Sequence, residues 1–332
     1  MNIAVIGSGG WGTALAILLC KNGHDTILWS RNPQKAAAIS ESRENPMLSG
    51  ILLPENLKIT ADPACVADRD LVVIASPSFA IRSVCRKIAP HLPEQVVMVS
   101  VTKGIEAGTL LRMSQIVEEE TRRCVVALTG PSHAEEVARE IPTGCLAACP
   151  DREKAELVQS AFMSDSFRVY TSPDIVGAEL GGALKNIIAL CAGVCDGLGY
   201  GDNTRAMLIT RGLTEIARLG VSLGAQRDTF AGLAGIGDLI VTCTSMHSRN
   251  RRAGILIGKG MSAEEAMEDV GAVVEGYYAA RSAWELCRRQ NVEMPIIRAA
   301  YMSLYEGLDA RMAVHELLIR RAKAEPEDAG WL

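Results

Sequence analysis

The chain has 332 residues, with 34 Lys and Arg against 39 Asp and Glu and a formal net charge of −5, which excludes a nucleic-acid binder that relies on overall positive charge. Its length suggests two domains, and 48% hydrophobic residues is normal for a chain that buries a full core. Aromatics are only 4% against 30 glycines, so an aliphatic interior with close backbone approaches is expected, in an α/β or helical enzyme rather than a β-sandwich.

The first predicted strand, Ile3 to Ile6, runs into Gly7-Ser8-Gly9-Gly10-Trp11-Gly12, and a helix is predicted over Thr13 to Asn22 with Gly23 as its stop signal. This is GxGxxG between a strand and a helix. Gly7 permits the tight turn, Gly9 lets a pyrophosphate approach the backbone, Gly12 lets helix and strand pack closely, and the amides at the helix start face the anion. The second strand, Thr26 to Trp29, is followed by Ser30 and Arg31; Asp25 lies at its opposite end. A carboxylate after this strand bonds the ribose of NAD(H), whereas an Arg accommodates the extra phosphate of NADP(H). NADP(H) is therefore favoured, with NAD(H) as the alternative and Arg31 as a solvated loop residue in that case.

Asn32-Pro33 and Asp62-Pro63 each read as a helix start, a capping side chain followed by Pro at the first helical position. Further strands are predicted at Leu71 to Ala75, Val96 to Ser100 and Val125 to Thr129. All are apolar on both faces, as parallel strands covered by helices are. Val101-Thr102-Lys103-Gly104 and Gly130-Pro131-Ser132-His133-Ala134 follow two of them. Open α/β sheets bind ligands at such strand ends, so Lys103 is either a ligand contact or a surface charge.

After about Pro173 strand-like runs disappear and helical periodicity takes over, as in Ser262 to Val270, Gly276 to Arg289 and Ala313 to Lys323. The expected architecture is an N-terminal doubly wound, Rossmann-like domain over 1–172 and an all-helical substrate or catalytic domain over 173–332. The tail, Glu325 to Leu332, is polar and expected to be loosely held. Within Gly177 to Gly193 only Glu179, Lys185 and Asn186 are polar. Lysine is almost never fully buried unpaired, so Lys185 is satisfied by a carboxylate, lines a polar cavity, or snorkels from the end of a core helix. Either of the first two environments would tune its pKa for carbonyl reduction.

The ten cysteines include no CxxC pair, which favours buried reduced thiols over a disulfide framework or a metal site. No signal peptide is read, because the start lacks a basic n-region and the glycine-rich turn interrupts any apolar core. No run approaches the roughly 18 apolar residues of a spanning helix; Ile187 to Cys195 stops at Asp196. A cytoplasmic protein without membrane insertion is expected, and apolar faces in the helical half point to a homodimer.

GSGGWGTALA, VTKG, GPSHAEE, ELGGALKNIIAL, GLAGIGDLIVTCTS, SRNRR and VVEG together resemble the NAD(P)-dependent glycerol-3-phosphate dehydrogenase family in its bacterial form, from about Ile3 to the helices around Met294. The resemblance implies reversible reduction of dihydroxyacetone phosphate to sn-glycerol 3-phosphate, the phospholipid backbone. It implies that Lys185 exchanges the proton, that Gly10, Trp11, Arg31, Ala134, Val273 and Glu275 contact the cofactor, and that Lys103, Gly130, Ser132, Asp238, Ser248, Arg249 and Asn250 contact the substrate. Lys103 and Arg249 would also lie near the cofactor, with Asp238 orienting an ammonium. Arg251 and Arg252 are expected to be solvated, and His133 to be a tolerated variation. The competing readings are another two-domain dehydrogenase of the 3-hydroxyacid or 6-phosphogluconate type, whose Lys and Asn lie several residues apart rather than adjacent as in Lys185-Asn186, and a dinucleotide sensor without turnover.

Overall fold

The computed structural model describes residues 1–322, 324 and 325; apart from Glu325, the polar tail lies outside them. Eight strands form one sheet: β1 Asn2–Ile6, β2 Asp25–Trp29, β3 Lys58–Thr60, β4 Leu71–Ile74, β5 Val97–Ser100, β6 Val125–Thr129, β7 Thr143–Ala148 and β8 Phe167–Ser172. Their order is β3-β2-β1-β4-β5-β6-β7-β8, in which the first six have the Rossmann arrangement. Helices α1 Gly10–Lys21, α2 Pro33–Ser42, α3 Ile81–Ile88, α4 Met113–Thr121, α5 Ala134–Val137 and α6 Arg152–Phe162 connect them.

Side-chain alternation along the strands sorts two cores. Ile3 and Val5 of β1 join Leu15 and Leu19 of α1 and Val158 and Phe162 of α6 on one face. Ala4 and Ile6 join Ile81 and Val84 of α3 and Ile116 of α4 on the other. Burying one such Leu, Ile or Phe stabilises by roughly 1.5–3 kcal/mol. Strands covered on both faces are the ones the sequence shows as continuous apolar runs.

Four elements depart from the sequence reading, among them the three-residue edge strand β3, which is too short for a periodic signal. Asp62 caps only a 3₁₀ turn, Pro63–Val66, rather than a helix, because the chain must reach Leu71 within five further residues. β7 is antiparallel to β6, and its sequence, Thr-Gly-Cys-Leu-Ala-Ala, has only Thr143 as a β-branched residue to announce it. β8 alternates buried Phe167 and Val169 with exposed Arg168 and Tyr170, the half-buried pattern of an edge strand.

After Ser172 the described residues contain only helices and turns. They are α7 Ile175–Gly197, α8 Asp202–Ser222, α9 Asp238–Thr244, α10 Arg249–Gly258, α11 Ala263–Val270, α12 Glu275–Arg289, α13 Pro295–Tyr305 and α14 Ala310–Leu318. The central element is the 23-residue α7, whose most apolar 18-residue stretch has a mean hydropathy of 1.5, so by length and composition it could cross a membrane. That corrects the reading of short apolar runs. The helix is nevertheless buried along almost all of its length, wrapped by α8, α9, α10 and α12, as a helix apolar on all sides must be in a core. Its approach to α10 is set by glycines: a Cβ on Gly193 would stand 2.1 Å from the Arg251 carbonyl oxygen, and one on Gly254 2.1 Å from that of Leu190.

Candidate active site

The glycine-rich turn joins β1 to α1 at the C-terminal edge of the sheet. Gly7 has φ +128°, and a Cβ there would meet the Ala75 carbonyl oxygen at 2.6 Å. At Gly12 it would meet the Gly7 carbonyl oxygen at 2.0 Å. Gly9, by contrast, faces open space, and no side chain caps α1, so the amides of its first turn are available to an anion. These features fit a dinucleotide pyrophosphate. Gly10 lies 3.8 Å from Ala134 Cβ, which brings the turn after β6 to the glycine-rich turn, and Trp11 packs beside them on the core. At the end of β2, Ser30 is buried and its hydroxyl accepts from Ser8 Oγ at 2.9 Å. Arg31 is exposed and makes no hydrogen bond or ion pair among the described residues.

Across the sheet edge lies the second cluster. Gly181 and Gly182 let α7 pass tightly over the turns: a Cβ on Gly181 would be 2.3 Å from the Ala234 carbonyl oxygen, and one on Gly182 2.9 Å from Thr129 Oγ1 and 3.4 Å from Lys103 Cγ. One turn later, Lys185 is 5% exposed. Its Nζ donates to Asp238 Oδ1 and, at 2.6 Å, to Thr242 Oγ1. The other carboxylate oxygen, Oδ2, accepts from Lys103 Nζ at 2.7 Å, and the same ammonium donates to the Gly130 carbonyl at 3.0 Å, where Ser132 Oγ also donates at 3.0 Å. Asp238, only 1% exposed, therefore neutralises one of two ammonium groups and leaves the cluster a net cation, suited to an anionic ligand. Burial pushes the Lys185 ammonium down to about 8, against the opposing pull of Asp238; Lys103 adds to the lowering.

The remaining residues divide by how their polar atoms are used. Arg249 is exposed, and its charge acts on Glu275. Glu275 itself accepts from Ser78 Oγ at 2.8 Å, joining the end of β4 to the start of α12 two residues after Val273. Burial raises the Glu275 carboxyl pKa, with the Ser78 bond opposing. Asn250 is already engaged, donating to Asn186 Oδ1 at 3.0 Å and accepting from Gly276 N at 2.8 Å. Ser248 caps α10, accepting from Arg251 N. Thus α7, α10 and α12 are cross-linked just behind Arg249. Arg251 is not solvated: its guanidinium pairs with Asp196 at 2.8 Å and donates to the Thr244 carbonyl, bracing the turn that presents Arg249.

Two groups at the site escaped the sequence reading. Thr242 lies one helical turn after Asp238, a spacing that could have revealed it. His247 faces His133 across the cleft with ring centroids 5.6 Å apart; no local pattern links them. The buried Nε2 of His133 has no hydrogen-bond partner, and burial, reinforced by Lys185, lowers the ring's pKa.

Comparison with known proteins locates the chain. The family described as NAD-dependent glycerol-3-phosphate dehydrogenase N-terminus matches residues 2–155, and its C-terminal counterpart matches 174–315. The chain is 53% identical over 332 residues to the glycerol-3-phosphate dehydrogenase [NAD(P)+] of Moorella thermoacetica, covering 99% of each chain. It is 51% identical over 330 residues to that of Fusobacterium nucleatum subsp. nucleatum, covering 98% of each. The crystal structure of glycerol-3-phosphate dehydrogenase from Coxiella burnetii superimposes with a TM-score of 0.92 at 37% identity, covering 96% of this chain and 99% of that one.

Proposed function

This chain belongs to the NAD-dependent glycerol-3-phosphate dehydrogenase family, and we propose that Lys185 is the group through which it exchanges a proton with its substrate. The reaction is the reversible, NAD(P)H-dependent reduction of dihydroxyacetone phosphate to sn-glycerol 3-phosphate, which supplies the glycerophospholipid backbone. The observation that carries the assignment is the buried Lys185–Asp238–Lys103 cluster at the strand ends. Mixing the protein with NADPH and dihydroxyacetone phosphate and following nicotinamide absorbance tests the whole reading. NADPH that binds but is not consumed would reject it.

In the proposed division of labour, residues 1–172 hold the dinucleotide and 173 onwards supply the substrate groups, in the cytoplasm. Gly7, Gly9, Gly10, Trp11, Gly12 and Ala134 would seat the pyrophosphate and neighbouring ribose, with Val273, Glu275 and Arg249 closing over from the helical side. Bound NAD(P)H supplies the hydride. Lys185 Nζ donates its proton to the ketone oxygen in reduction and, when neutral, removes the hydroxyl proton in oxidation. Asp238 holds the ammonium in place, and Thr242 fixes its second hydrogen. Lys103, Gly130, Ser132 and Arg249 would hold the phosphate-bearing substrate; Ser248 and Asn250 position Arg249 from behind.

A pH prediction follows from the lowered Lys185 pKa of about 8. Below it the lysine is a cation and an acid, so reduction is favoured; above it the lysine is neutral and a base, so oxidation gains. kcat/KM for reduction should fall, and that for oxidation rise, through a limb near pH 8. Limbs of the same sign in both directions would reject Lys185 as the shared proton carrier.

The preference for NADP(H) is supported by Arg31, an exposed guanidinium without a partner among the described residues, and by the absence of a carboxylate beside Ser30. Arg31→Ala should weaken NADPH binding by roughly 1.5–3 kcal/mol, the size of a hydrogen bond to a charged group, and hardly alter NADH. The NADPH loss should shrink at high salt, because an exposed pair is screened. Titration of both nucleotides at two salt concentrations checks this; equal losses would make Arg31 a loop support and withdraw the preference.

A further inference from the structure

The first turn of α2 carries a second cation, Lys35. Its side chain turns back onto the glycine-rich turn, where Nζ donates to the Ser8 carbonyl at 2.9 Å. Asn45 Nδ2 donates to the same oxygen at 3.0 Å, and the Ser8 hydroxyl donates to Ser30 Oγ at 2.9 Å. The ammonium, the Ser8 backbone and the Ser30 hydroxyl therefore form one connected group where β1 and β2 end. Lys35 is half-buried, and burial lowers its pKa from the ordinary lysine value. No carboxylate pairs with it among the described residues. Asp25, the only acid on β2, lies at the far end of the strand and pairs with Lys58 at 2.9 Å. An ammonium has three donors, and here one neutral carbonyl oxygen takes one of them. Such a cation is under-neutralised, and being partly shielded from water it attracts an arriving anion more strongly than a fully solvated charge does.

We propose that Lys35 binds the phosphate on the adenosine ribose of NADP(H) together with Arg31, and so helps select this dinucleotide over NAD(H). The inference rests on the NADP(H) preference proposed for this chain. The two cations would differ in kind: Arg31 is solvated and sensitive to salt, whereas Lys35 is shielded and held against the turn that carries the pyrophosphate. Lys35 would supply the part of the preference that survives at high salt.

The test titrates NADPH, NADH, 2′,5′-ADP and 5′-AMP into the wild type, Lys35→Met and Lys35→Arg at low and high salt. Methionine keeps the apolar stem and removes the charge. Lys35→Met should weaken NADPH and 2′,5′-ADP about tenfold, the value of one hydrogen bond to a charged group, while NADH and 5′-AMP stay within about twofold. Lys35→Arg should recover most of the loss, and the effect of Lys35→Met should persist at high salt. Equal weakening of all four ligands would overturn the inference, because Lys35 would then only support the glycine-rich turn. So would a wild type that prefers NADPH together with a Lys35→Met variant that keeps the full preference; in that case the NADP(H) reading stands and Lys35 alone is wrong. A wild type that binds NADPH and NADH equally, and 2′,5′-ADP no better than 5′-AMP, would reject the NADP(H) preference itself and the inference with it.

Discussion

Lys185→Ala should lower turnover by on the order of 10² to 10⁴, the usual contribution of a positioned acid or base, while the affinity for NADPH stays nearly unchanged. The lysine sits on α7 against Asp238 and Thr242, away from the glycine-rich turn proposed to seat the pyrophosphate. The fold should tolerate the change, because Asp238 keeps its ion pair with Lys103 at 2.7 Å and no buried carboxylate is left without a counter-charge. Lys185→Arg is the sharper companion. It keeps the charge and the pairing, but a guanidinium does not give up a proton near neutral pH, so turnover should be lost although the cation remains. Single-turnover reduction and NADPH titration on both variants check this. Near-normal turnover in either would place Lys185 in a packing role.

What the sequence disclosed and what it withheld follows from how far apart the interacting residues lie. The strand, turn and helix around Gly7 to Gly12 are legible because each glycine has a local reason: a positive φ at Gly7 and a helix–strand contact at Gly12. Strands covered on both faces announce themselves as unbroken apolar runs. β7 does not, because an edge-proximal strand built from Gly, Ala and Cys has no β-branched signature. The need of Lys185 for a counter-charge is equally local, being a charge in an apolar helix. Its partner is not local, since Asp238 lies 53 residues further on, and Lys103 reaches the same carboxylate across 135.

Arg251 teaches the converse. In the run Arg249 to Arg252 the charges look alike, yet Arg251 is folded back onto Asp196, where Arg205 also pairs, whereas Arg249 is exposed and its charge acts on Glu275. Only the angular position on α10 and an acid on α7 separate them. The facing His133 and His247 rings are a similar case, since each is a lone histidine in sequence and they meet only because the turn after β6 and the turn before α10 close on one cleft.

Asp238→Asn should be the most damaging change to the site as a structure. It removes the counter-charge of Lys103 and Lys185 together and leaves two ammonium groups facing one neutral amide, with Lys185 almost fully buried. Breaking a buried ion pair by deleting one partner costs about 3–5 kcal/mol, because the remaining charge is uncompensated, and here two charges remain. The variant should therefore unfold at clearly lower denaturant. Where it is still folded, Lys185 loses the neighbour that holds its pKa up, so the reduction limb should move below pH 8 and turnover at neutral pH should fall. A second substitution separates the two effects. Lys103→Met in the Asp238→Asn background removes one of the two repelling cations and should recover part of the lost stability without restoring turnover, a coupling that a double-mutant cycle measures directly. If Asp238→Asn instead unfolds at the wild-type denaturant concentration and keeps its limb near pH 8, the carboxylate is not the counter-ion that holds the lysine pair.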